Sequence, residues 1–295
     1  MSSIAVKRGP RFWRLGDRVL ELPPPLAAGI VNVTDDSFFP GARSGTPSRA
    51  AADGFALVEA GFDLLDVGAV AARSGPPVPA DEEIARLVPA VERLAAEADV
   101  PVIADTFSAE VAARALAAGA AGINDIGGGA DEEMLDLVAA SGCGYVLMHI
   151  EGPPRRDRPL RAYDDPVAHL RAWFDERVDA ARARGVASEQ IAVDPGLDFD
   201  LTVDDDLAIL ARLGELRALG HPLFVALSRK DFLGAIAAGS WEERLPAERR
   251  EPATLAAASL AVAAGADLLR LHDRAALDAM RTAAAIAGIG AGAGG

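Results

Sequence analysis

Residues 222–230 read Pro222-Leu-Phe-Val-Ala-Leu-Ser-Arg-Lys230, and this stretch decides the fold. Its apolar residues, 223–227, run without interruption, and Gly220 stands shortly before them. A short continuous apolar run of this kind is typical of a strand that is buried on both faces of a parallel sheet. The two cations that follow it, Arg229 and Lys230, therefore either face solvent or lie at an anion.

Runs of the same kind alternate along the chain with segments of helical periodicity. Strands are predicted at residues 27–33, 64–69, 100–105, 121–126, 144–150, 191–194, 223–227 and 267–272. Between them, residues 81–97 and 165–185 repeat apolar side chains at the spacing of one helix face. Eight strands that alternate with helices predict an α/β fold, a single (β/α)8 TIM barrel over residues 27–288, with an open doubly wound sheet as the alternative.

Two terminal segments flank the predicted barrel. Residues 12–22 contain the Gly-Asp turn of a short hairpin, so residues 1–26 are predicted to form an N-terminal arm that covers the bottom of the barrel. The Gly-rich residues 289–295 predict a disordered tail. No low-complexity linker interrupts the middle of the chain, so no second domain is predicted.

The composition restricts the class of protein. Of the 295 residues, 51% are hydrophobic, which is enough for a large core. The net charge of −15 argues against a nucleic-acid partner, which would need a basic face. A single cysteine, Cys143, excludes an internal disulfide, and neither a signal peptide nor a membrane-spanning apolar run is recognised. These features predict a cytoplasmic protein that does not enter membranes.

Polar residues stand at the carboxyl ends of the predicted strands, where a barrel of this kind carries its chemistry. They are Asn32, Asp66, Asp105, Asn124 with Asp125, His149, Asp194, Arg229 with Lys230, and Arg270 with His272. Any single one could be a helix N-cap, but each buried polar group costs about 1–3 kcal/mol if it is unpaired. We therefore interpret the ring as the lining of a shared binding cavity.

The ring separates into two chemical halves. One half offers carboxylates and an amide, which suit the amino, N–H and carbonyl groups of a heterocycle; its members are Asp105, Asn124 and Asp194. The other half suits an anion such as phosphate; its members are Lys230, Arg270 and His272. Asn32 is suited to a magnesium ion or a phosphate oxygen. The predicted ligand is a polar ring joined to a phosphate or a pyrophosphate.

Competing motifs are weak. Ser228 lacks the Gly-x-Ser-x-Gly elbow of a nucleophilic serine, and the four histidines show no zinc spacing with Cys143. His169 falls within a predicted helix and is interpreted as a surface residue. Met148 is interpreted as a core residue or as the lining of an apolar pocket.

Seven motifs, in this order, resemble those of dihydropteroate synthases, the pterin-binding barrels of folate synthesis. They are Asn32-Val-Thr-Asp-Asp-Ser-Phe38, Asp105-Thr-Phe-Ser-Ala-Glu-Val111, Ile123-Asn-Asp-Ile-Gly-Gly128, Met148-His149, Asp194-Pro-Gly196, Ser228-Arg-Lys230 and Arg270-Leu-His272. Each motif is weak alone, but seven in order, each at a predicted strand end, are specific.

The resemblance implies an enzyme that joins 6-hydroxymethyl-7,8-dihydropterin diphosphate to 4-aminobenzoate, an aryl amine, and releases pyrophosphate. It implies a pterin site made of Asp105, Asn124, Met148, Asp194 and Lys230. It implies a pyrophosphate site made of Asn32, Arg270 and His272, with Asn32 as the ligand of Mg²⁺. The implied catalytic residues are Lys230, Arg270 and His272. A homodimer is implied as well.

Three departures from the family pattern fall on the loops that, by resemblance, serve the second substrate. The residues of those loops that the resemblance assigns to the second substrate are Arg73, Phe199 and Asp231. Ala71 and Ala72 stand where the family has hydroxyls, and Asp198 and Asp200 stand where it has glycines. Asp231 directly follows the Ser-Arg-Lys motif. The added carboxylates either repel an anionic aminobenzoate or point to solvent.

Two alternatives therefore stand beside dihydropteroate synthase. One is a divergent pterin-binding paralogue with weak or altered use of the second substrate. The other is the pterin-binding module of a methyltransferase. The presence of Lys230 and Arg270-x-His272 argues against this alternative, because methyl-tetrahydrofolate has no pyrophosphate to hold. Residues 235–251 are predicted to be an insertion of unassigned role before an Ala-rich helix at 253–264.

Overall fold

A computed structural model describes residues 11–33, 46–71, 75–156 and 160–289. The strands are β1 (Arg11–Leu15), β2 (Arg18–Leu22), β3 (Leu26–Asn32), β4 (Leu64–Gly68), β5 (Val102–Asp105), β6 (Gly122–Asp125), β7 (Gly144–Met148), β8 (Ile191–Asp194), β9 (Phe224–Ala226) and β10 (Leu268–Leu271). The helices are α1 (Pro47–Ala60), α2 (Ala80–Glu97), α3 (Ala109–Ala117), α4 (Glu132–Ser141), α5 (Pro166–Ala183), α6 (Val203–Ala211), α7 (Asp231–Ala238), α8 (Glu251–Ala264) and α9 (Arg274–Ile286). Short 3₁₀ helices lie at Ser188–Gln190, Leu213–Leu219 and Ala247–Arg249.

Eight parallel strands form one sheet in the order β8-β7-β6-β5-β4-β3-β10-β9. The two ends of this sheet meet, because the backbone N–H of Val193 in β8 donates to the carbonyl of Pro222 at 2.9 Å, and Val193 pairs in parallel with Leu223 beside β9. The chain is therefore a (β/α)8 barrel, as predicted, and the open doubly wound alternative is wrong.

All eight predicted strands are present, and their ends differ from the predicted ends by one or two residues at most. In β4 and β7 every residue is buried, which is the reason that these strands are mostly apolar, apart from Asp66 in β4, and do not alternate with polar residues. Helices α2 and α5 match the predicted helical segments closely. Their apolar faces pack on the outside of the barrel in one large core.

An antiparallel hairpin of β1 and β2 closes the amino-terminal mouth of the barrel, as predicted. Trp13 is fully buried there, and its ring meets the ring of Phe224 edge-on, with centroids 6.5 Å apart. The indole Nε1 donates to the carbonyl of Gln190 at 2.6 Å. Leu15 and Leu22 join the same cluster with the first residues of several barrel strands. The hairpin thus completes the lower half of the barrel interior.

Strand β9 is followed by two helices, α7 and α8, so the region predicted as an insertion at 235–251 contains the end of a helix. None of the described helices is long and apolar enough to span a membrane. The predicted disordered tail lies outside the described residues, except for Ile289.

Replacing Trp13 by alanine should lower the free energy of unfolding by about 3–5 kcal/mol, because a large buried side chain is removed from the closed end of the barrel. Equilibrium urea unfolding measures this loss. Phe12→Ala is the matched control, since Phe12 lies next in the same strand but is 51% exposed, and it should change stability by about 0.5 kcal/mol or less. Equal losses in both variants would show that the hairpin is not part of the core.

Candidate active site

Four alternate strands of the barrel each contribute one polar side chain near the carboxyl end of the sheet. They are Asp66 in β4, Asn124 in β6, Asp194 in β8 and Arg270 in β10. Side chains from alternate strands share one layer of a barrel interior, so these four residues converge. Asp105, the last residue of β5, lies beside them because it pairs with Gly68 and Asn124 on its two neighbouring strands. We call these five residues the polar layer.

The guanidinium of Arg270 joins two carboxylates of the polar layer. Its Nε donates to Oδ2 of Asp66, and its Nη2 donates to Oδ2 of Asp105 at 2.7 Å. The side-chain amide of Asn124 donates to the same oxygen of Asp66 at 3.1 Å. Oδ1 of Asp66 and Oδ1 of Asn124 are buried acceptors without a hydrogen-bond partner among the described residues. Buried polar atoms are nearly always bonded in native proteins, so both oxygens are suited to the N–H groups of a ligand.

Burial raises the pKa values of two carboxylates of the polar layer, Asp105 and Asp194, toward neutral pH. It raises the pKa of Asp105 to about 7, although Arg270 acts in the opposite direction. It raises the pKa of Asp194 to about 6, with Lys230 acting in the opposite direction. The carboxylates in turn raise the pKa of Arg270 despite the burial of the guanidinium, so Arg270 remains charged. A ligand that donates hydrogen bonds therefore meets acids that are readily ionised near pH 7.

Asp66 is the residue whose importance the sequence does not show. It stands among the predicted strand-end residues, but no role follows for it from the sequence. The structure places it at the centre of the polar layer, fully buried, with both Arg270 and Asn124 on one oxygen. The feature of the sequence that could have shown its importance is a carboxylate in the middle of a strand whose other residues are all apolar or glycine.

The two adjacent cations after β9 point in different directions. Arg229 is buried away from the polar layer, where it donates to Asp273 at 2.8 Å and to the carbonyl of Ala247 at 3.2 Å. Lys230 instead donates to the carbonyl of Leu197, and its interaction with Asp194 partly offsets the effect of burial, which lowers the pKa of Lys230. Of this pair, only Lys230 is positioned to act in the site.

An apolar wall lies beside Lys230. Its Nζ stands 5.0 Å from the centre of the Phe199 ring. Phe199 packs with Met148 in a small cluster of apolar side chains, together with Phe107, Ile126 and Ile150. Met148 therefore combines both roles that the sequence suggests, since it is buried and it lines an apolar surface next to the charged residues.

Steric constraints explain the glycine of the Asp194-Pro-Gly196 motif. Gly196 adopts a left-handed backbone conformation with φ of 67°, and a Cβ atom there would lie 2.1 Å from the carbonyl oxygen of His149. The N–H of Gly196 donates to Oδ1 of Asp194 at 2.9 Å. Only glycine lets the loop turn this closely against β7, and this turn fixes the carboxylate of Asp194.

The remaining predicted residues lie at the same mouth of the barrel. His272 follows β10, with Nδ1 2.9 Å from Oγ of Ser228. Burial, helped by the charges of Arg270 and Arg229, lowers the pKa of His272 to about 3, so this residue offers a neutral imidazole and not the positive charge expected from the sequence. Asn32 ends β3 and is half-buried. Arg73 and Ala72 lie outside the described residues.

The added carboxylate of Asp198 is a helix cap. Its two oxygens accept the backbone N–H groups of Asp231 at 2.8 Å and of Phe232 at 3.1 Å, which are the first residues of α7. The N–H of Asp198 itself donates to Asp206 at 2.9 Å. Asp198 is 4% exposed, so its carboxylate does not point to solvent. It ties the loop that carries Phe199 to the helix that follows Lys230.

The carboxylate of Asp231 is compensated by two arginines. Oδ1 of Asp231 lies 2.6 Å from Nη1 of Arg250 and 3.6 Å from Nε of Arg244. Arg250 also donates to the carbonyl of Arg229 at 2.9 Å. Residues 235–251 thus have an identifiable role, because they bring positive charge to the first turn of α7 and hold the backbone next to Lys230.

One further group of side chains has the ligand types of a metal site. Within the described part of the chain, His149, Glu151 and His169 place their ligand atoms within 4.8 Å of one another. The interpretation of His169 as a surface residue is only partly correct, since its side chain is 31% exposed and its Nε2 lies 2.9 Å from Glu151.

Comparison with known proteins agrees with this geometry. The family described as "Pterin binding enzyme" matches residues 28–272. A dihydropteroate synthase of Mycobacterium leprae is 40% identical over 272 residues, which cover 90% of this chain and 95% of that protein. An inactive dihydropteroate synthase 2 of the same organism is 38% identical over 258 residues, which cover 84% and 85%. The structure of Xanthomonas albilineans dihydropteroate synthase with 4-aminobenzoic acid superimposes with a TM-score of 0.84 at 38% identity, covering 94% of this chain and 98% of that one.

Asp198→Asn should lower the free energy of unfolding by about 1–3 kcal/mol, because the charged acceptor of two helix N–H groups is lost. Asp204→Asn, an isosteric change at an exposed position in α6, is the control and should cost less than about 1 kcal/mol. Urea unfolding compares the two. If the variants are equally stable, Asp198 is not the cap of α7.

Proposed function

The chain belongs to the pterin-binding enzyme family, and from that premise we propose that it catalyses the dihydropteroate synthase reaction. The amine of 4-aminobenzoate attacks the exocyclic methylene carbon of 6-hydroxymethyl-7,8-dihydropterin diphosphate, a new C–N bond forms, and pyrophosphate leaves with the electrons of the broken C–O bond. The observation that carries this conclusion is the polar layer. A reduced pterin is a flat heterocycle with several N–H donors, and the polar layer presents buried acceptors to such a ring.

Recognition of the pterin rests on acceptors of two kinds. The carboxylates of Asp105 and Asp194, when ionised, accept hydrogen bonds from ring N–H and amino groups. The amide oxygen of Asn124 is a buried acceptor without a partner among the described residues. Met148 and Phe199 supply an apolar surface for the face of the ring. The assignment of these residues to the pterin rests on this chemistry and on the family resemblance.

Departure of pyrophosphate requires positive charge at the mouth of the barrel. Arg270 remains charged, and its Nη1 makes no hydrogen bond within the described residues, so it is available to a phosphate oxygen. His272 contributes a neutral imidazole, which can donate a hydrogen bond to the same group. These two residues would stabilise the charge that develops on the leaving group. No protein nucleophile is required, because the aryl amine attacks directly.

Mg²⁺ is the cofactor that we propose, with Asn32 as its protein ligand. The amide oxygen of Asn32 is a hard ligand at the end of β3, half-buried at the mouth of the barrel. Magnesium usually takes one or two protein oxygens and completes its shell with water and substrate phosphates, so a single protein ligand fits. The ion would supply charge compensation to the pyrophosphate.

The second substrate approaches loops in which two of the three added acids, Asp198 and Asp231, are already engaged. Asp198 caps α7, and Asp231 is paired with Arg250 and Arg244. Repulsion of 4-aminobenzoate by these two carboxylates is therefore not expected. The divergent paralogue is not favoured, and neither is the methyltransferase module.

A homodimer and a cytoplasmic location remain predictions. The support for a dimer is the exposed apolar side chain of Leu260 on α8, at 61%, and of Ile286 on α9, at 83%. The support for the cytoplasm is a chain with one cysteine, buried and free.

Purified protein should release pyrophosphate when pterin diphosphate, Mg²⁺ and 4-aminobenzoate are all present, and an enzyme-coupled pyrophosphate assay measures the rate. Lys230→Met should lower kcat/KM about 10²–10³-fold, because a half-buried cation of the site is lost. Arg249→Met, which removes an exposed cation, should leave the rate unchanged. Tight binding of pterin diphosphate without turnover would contradict the proposed reaction and would make the chain resemble the inactive relative of Mycobacterium leprae instead.

The affinity for the pterin ring should rise with pH between about 5.5 and 8, because the pKa values of Asp194 and Asp105 are about 6 and 7 and their ionised forms accept the ring N–H groups. Calorimetry with 6-hydroxymethyl-7,8-dihydropterin measures this, since a ring without diphosphate excludes titration of phosphate. Asp105→Asn should bind about 10–100-fold more weakly at pH 8 and show a smaller pH dependence. Asp278→Asn, exposed on α9, is the control, and a pH-independent affinity of the unmodified protein would contradict the assignment.

A further inference from the structure

We propose that His149, Glu151 and His169 bind a divalent transition-metal ion of the zinc class, at a site behind the apolar wall of the pterin pocket and independent of the magnesium proposed at Asn32. The three residues come from two adjacent parts of the chain, the loop after β7 and the start of α5. His149 directly follows β7, Glu151 lies in the loop after it, and His169 lies in the first turn of α5. We call these residues the histidine cluster.

The distances within the histidine cluster are close to those of a metal site. Oε1 of Glu151 lies 3.5 Å from Nε2 of His149 and 2.9 Å from Nε2 of His169, and all three ligand atoms lie within 4.8 Å of one another. Zinc bonds of about 2.0–2.2 Å in a tetrahedron separate neighbouring ligand atoms by about 3.3–3.6 Å. The pair of His149 and Glu151 already has this separation, and the contact between Glu151 and His169 must widen by about half an ångström.

His149 is the residue that points to a ligand. Its side chain is fully buried, and neither ring nitrogen makes a hydrogen bond of good geometry within the described parts of the chain, since Nε2 has only the long contact of 3.5 Å with Glu151. A buried imidazole in this condition is unusual, because buried polar atoms in native proteins are nearly always bonded. A metal ion between Nε2 of His149 and the carboxylate of Glu151 would satisfy that nitrogen.

The types of ligand select the class of metal. Two imidazoles and one carboxylate suit zinc and its neighbours, whereas magnesium and calcium prefer oxygen ligands alone. Three protein ligands leave a fourth position for water. The hydroxyl of Tyr163 donates to Oε1 of Glu151 at 3.2 Å, and its ring stacks on His169 with centroids 4.1 Å apart. Such outer contacts orient metal ligands and are typical of built sites.

A bound ion would fasten the loop after β7 to α5. Arg155, further along that loop, donates to the carbonyl of Ala71 and to the carbonyl of Pro76 at 2.6 Å, in the loop that follows β4. At the other end, the backbone N–H of His149 donates to the carbonyl of Asp194 at 2.8 Å. The loop after β7 thus contacts Asp194 at one end and the loop after β4 at the other. An ion bound by the histidine cluster would hold this connecting loop in place.

The test is a zinc titration of untagged, chelator-treated protein against a chromophoric zinc indicator. The unmodified protein should bind one equivalent with submicromolar affinity in the presence of millimolar Mg²⁺, and its Tm should rise with zinc. His169→Ala and Glu151→Gln should each weaken binding about 100-fold or more, since even the loss of an outer contact costs about 10–100-fold. Glu176→Gln, exposed on α5, is the matched control and should bind like the unmodified protein.

Cobalt as a probe identifies the ligands. Co²⁺ should give the visible bands of a four- or five-coordinate ion without a thiolate charge-transfer band, which excludes Cys143. These bands should be lost in both ligand variants. Absence of a zinc equivalent in the unmodified protein would overturn the proposal, and so would unchanged zinc affinity in the ligand variants. Either result would leave the histidine cluster as a hydrogen-bonded group that fixes the loop. If His169→Ala fails to fold, as judged by circular dichroism, Glu151→Gln decides alone.

Discussion

The interaction on which the site depends is the pairing of the guanidinium of Arg270, which is 18% exposed, with a fully buried carboxylate, Asp66, and a largely buried one, Asp105. Arg270 in β10 reaches Asp66 in β4 and Asp105 in β5, and Asn124 in β6 completes the contact on Asp66. Charges of this kind are unfavourable in a barrel interior unless they are paired. Because Arg270 satisfies only part of the layer, acceptors are left over for a ligand. The same arrangement that makes the barrel tolerate these charges therefore leaves buried acceptors that suit a ring with N–H donors.

The loops around the polar layer are held in part by a residue that, from the sequence alone, could be taken for a member of the active site. Arg229 looks like a second active-site cation, yet it is buried against Asp273 and the carbonyl of Ala247. Arg250, from the segment of unassigned role, holds the carbonyl of Arg229 and the carboxylate of Asp231. Together these contacts fix the backbone on both sides of Lys230. The placement of Lys230 thus depends on two arginines whose hydrogen bonds, within the described residues, go to groups outside the polar layer.

The sequence was sufficient for the barrel, and the reason lies in the strands. In β4 and β7 burial on both faces gives short, mostly apolar runs without the alternation of a half-exposed strand, and β7 is followed directly by a polar residue, His149, at the mouth of the barrel. The roles of Asp66, Asp198 and His169 were not predictable in the same way. Each depends on a partner from another element: Arg270 is 204 residues from Asp66, α7 begins 33 residues after Asp198, and His169 meets Glu151 from one helix turn into α5. Sequence spacing carries no information about such contacts, because the packing of the folded chain creates them.

The exchange of glycine for aspartate at 198 shows how a departure from a family pattern can preserve a site. The backbone of Asp198 has φ of 69°, a left-handed conformation in which a glycine carries no steric cost and aspartate is among the better tolerated alternatives. The strain is offset because the carboxylate reaches two N–H groups at the start of α7, where the helix dipole favours negative charge. Glycine would leave this turn adaptable, whereas aspartate links it to α7. The added carboxylate is therefore neutralised by contacts within the protein. Phe199, the next residue, lies on a more rigid turn beside Lys230. Counting acids along the sequence would predict repulsion of an anionic substrate, but the hydrogen bonds show that this acid is directed at a helix and not at the substrate.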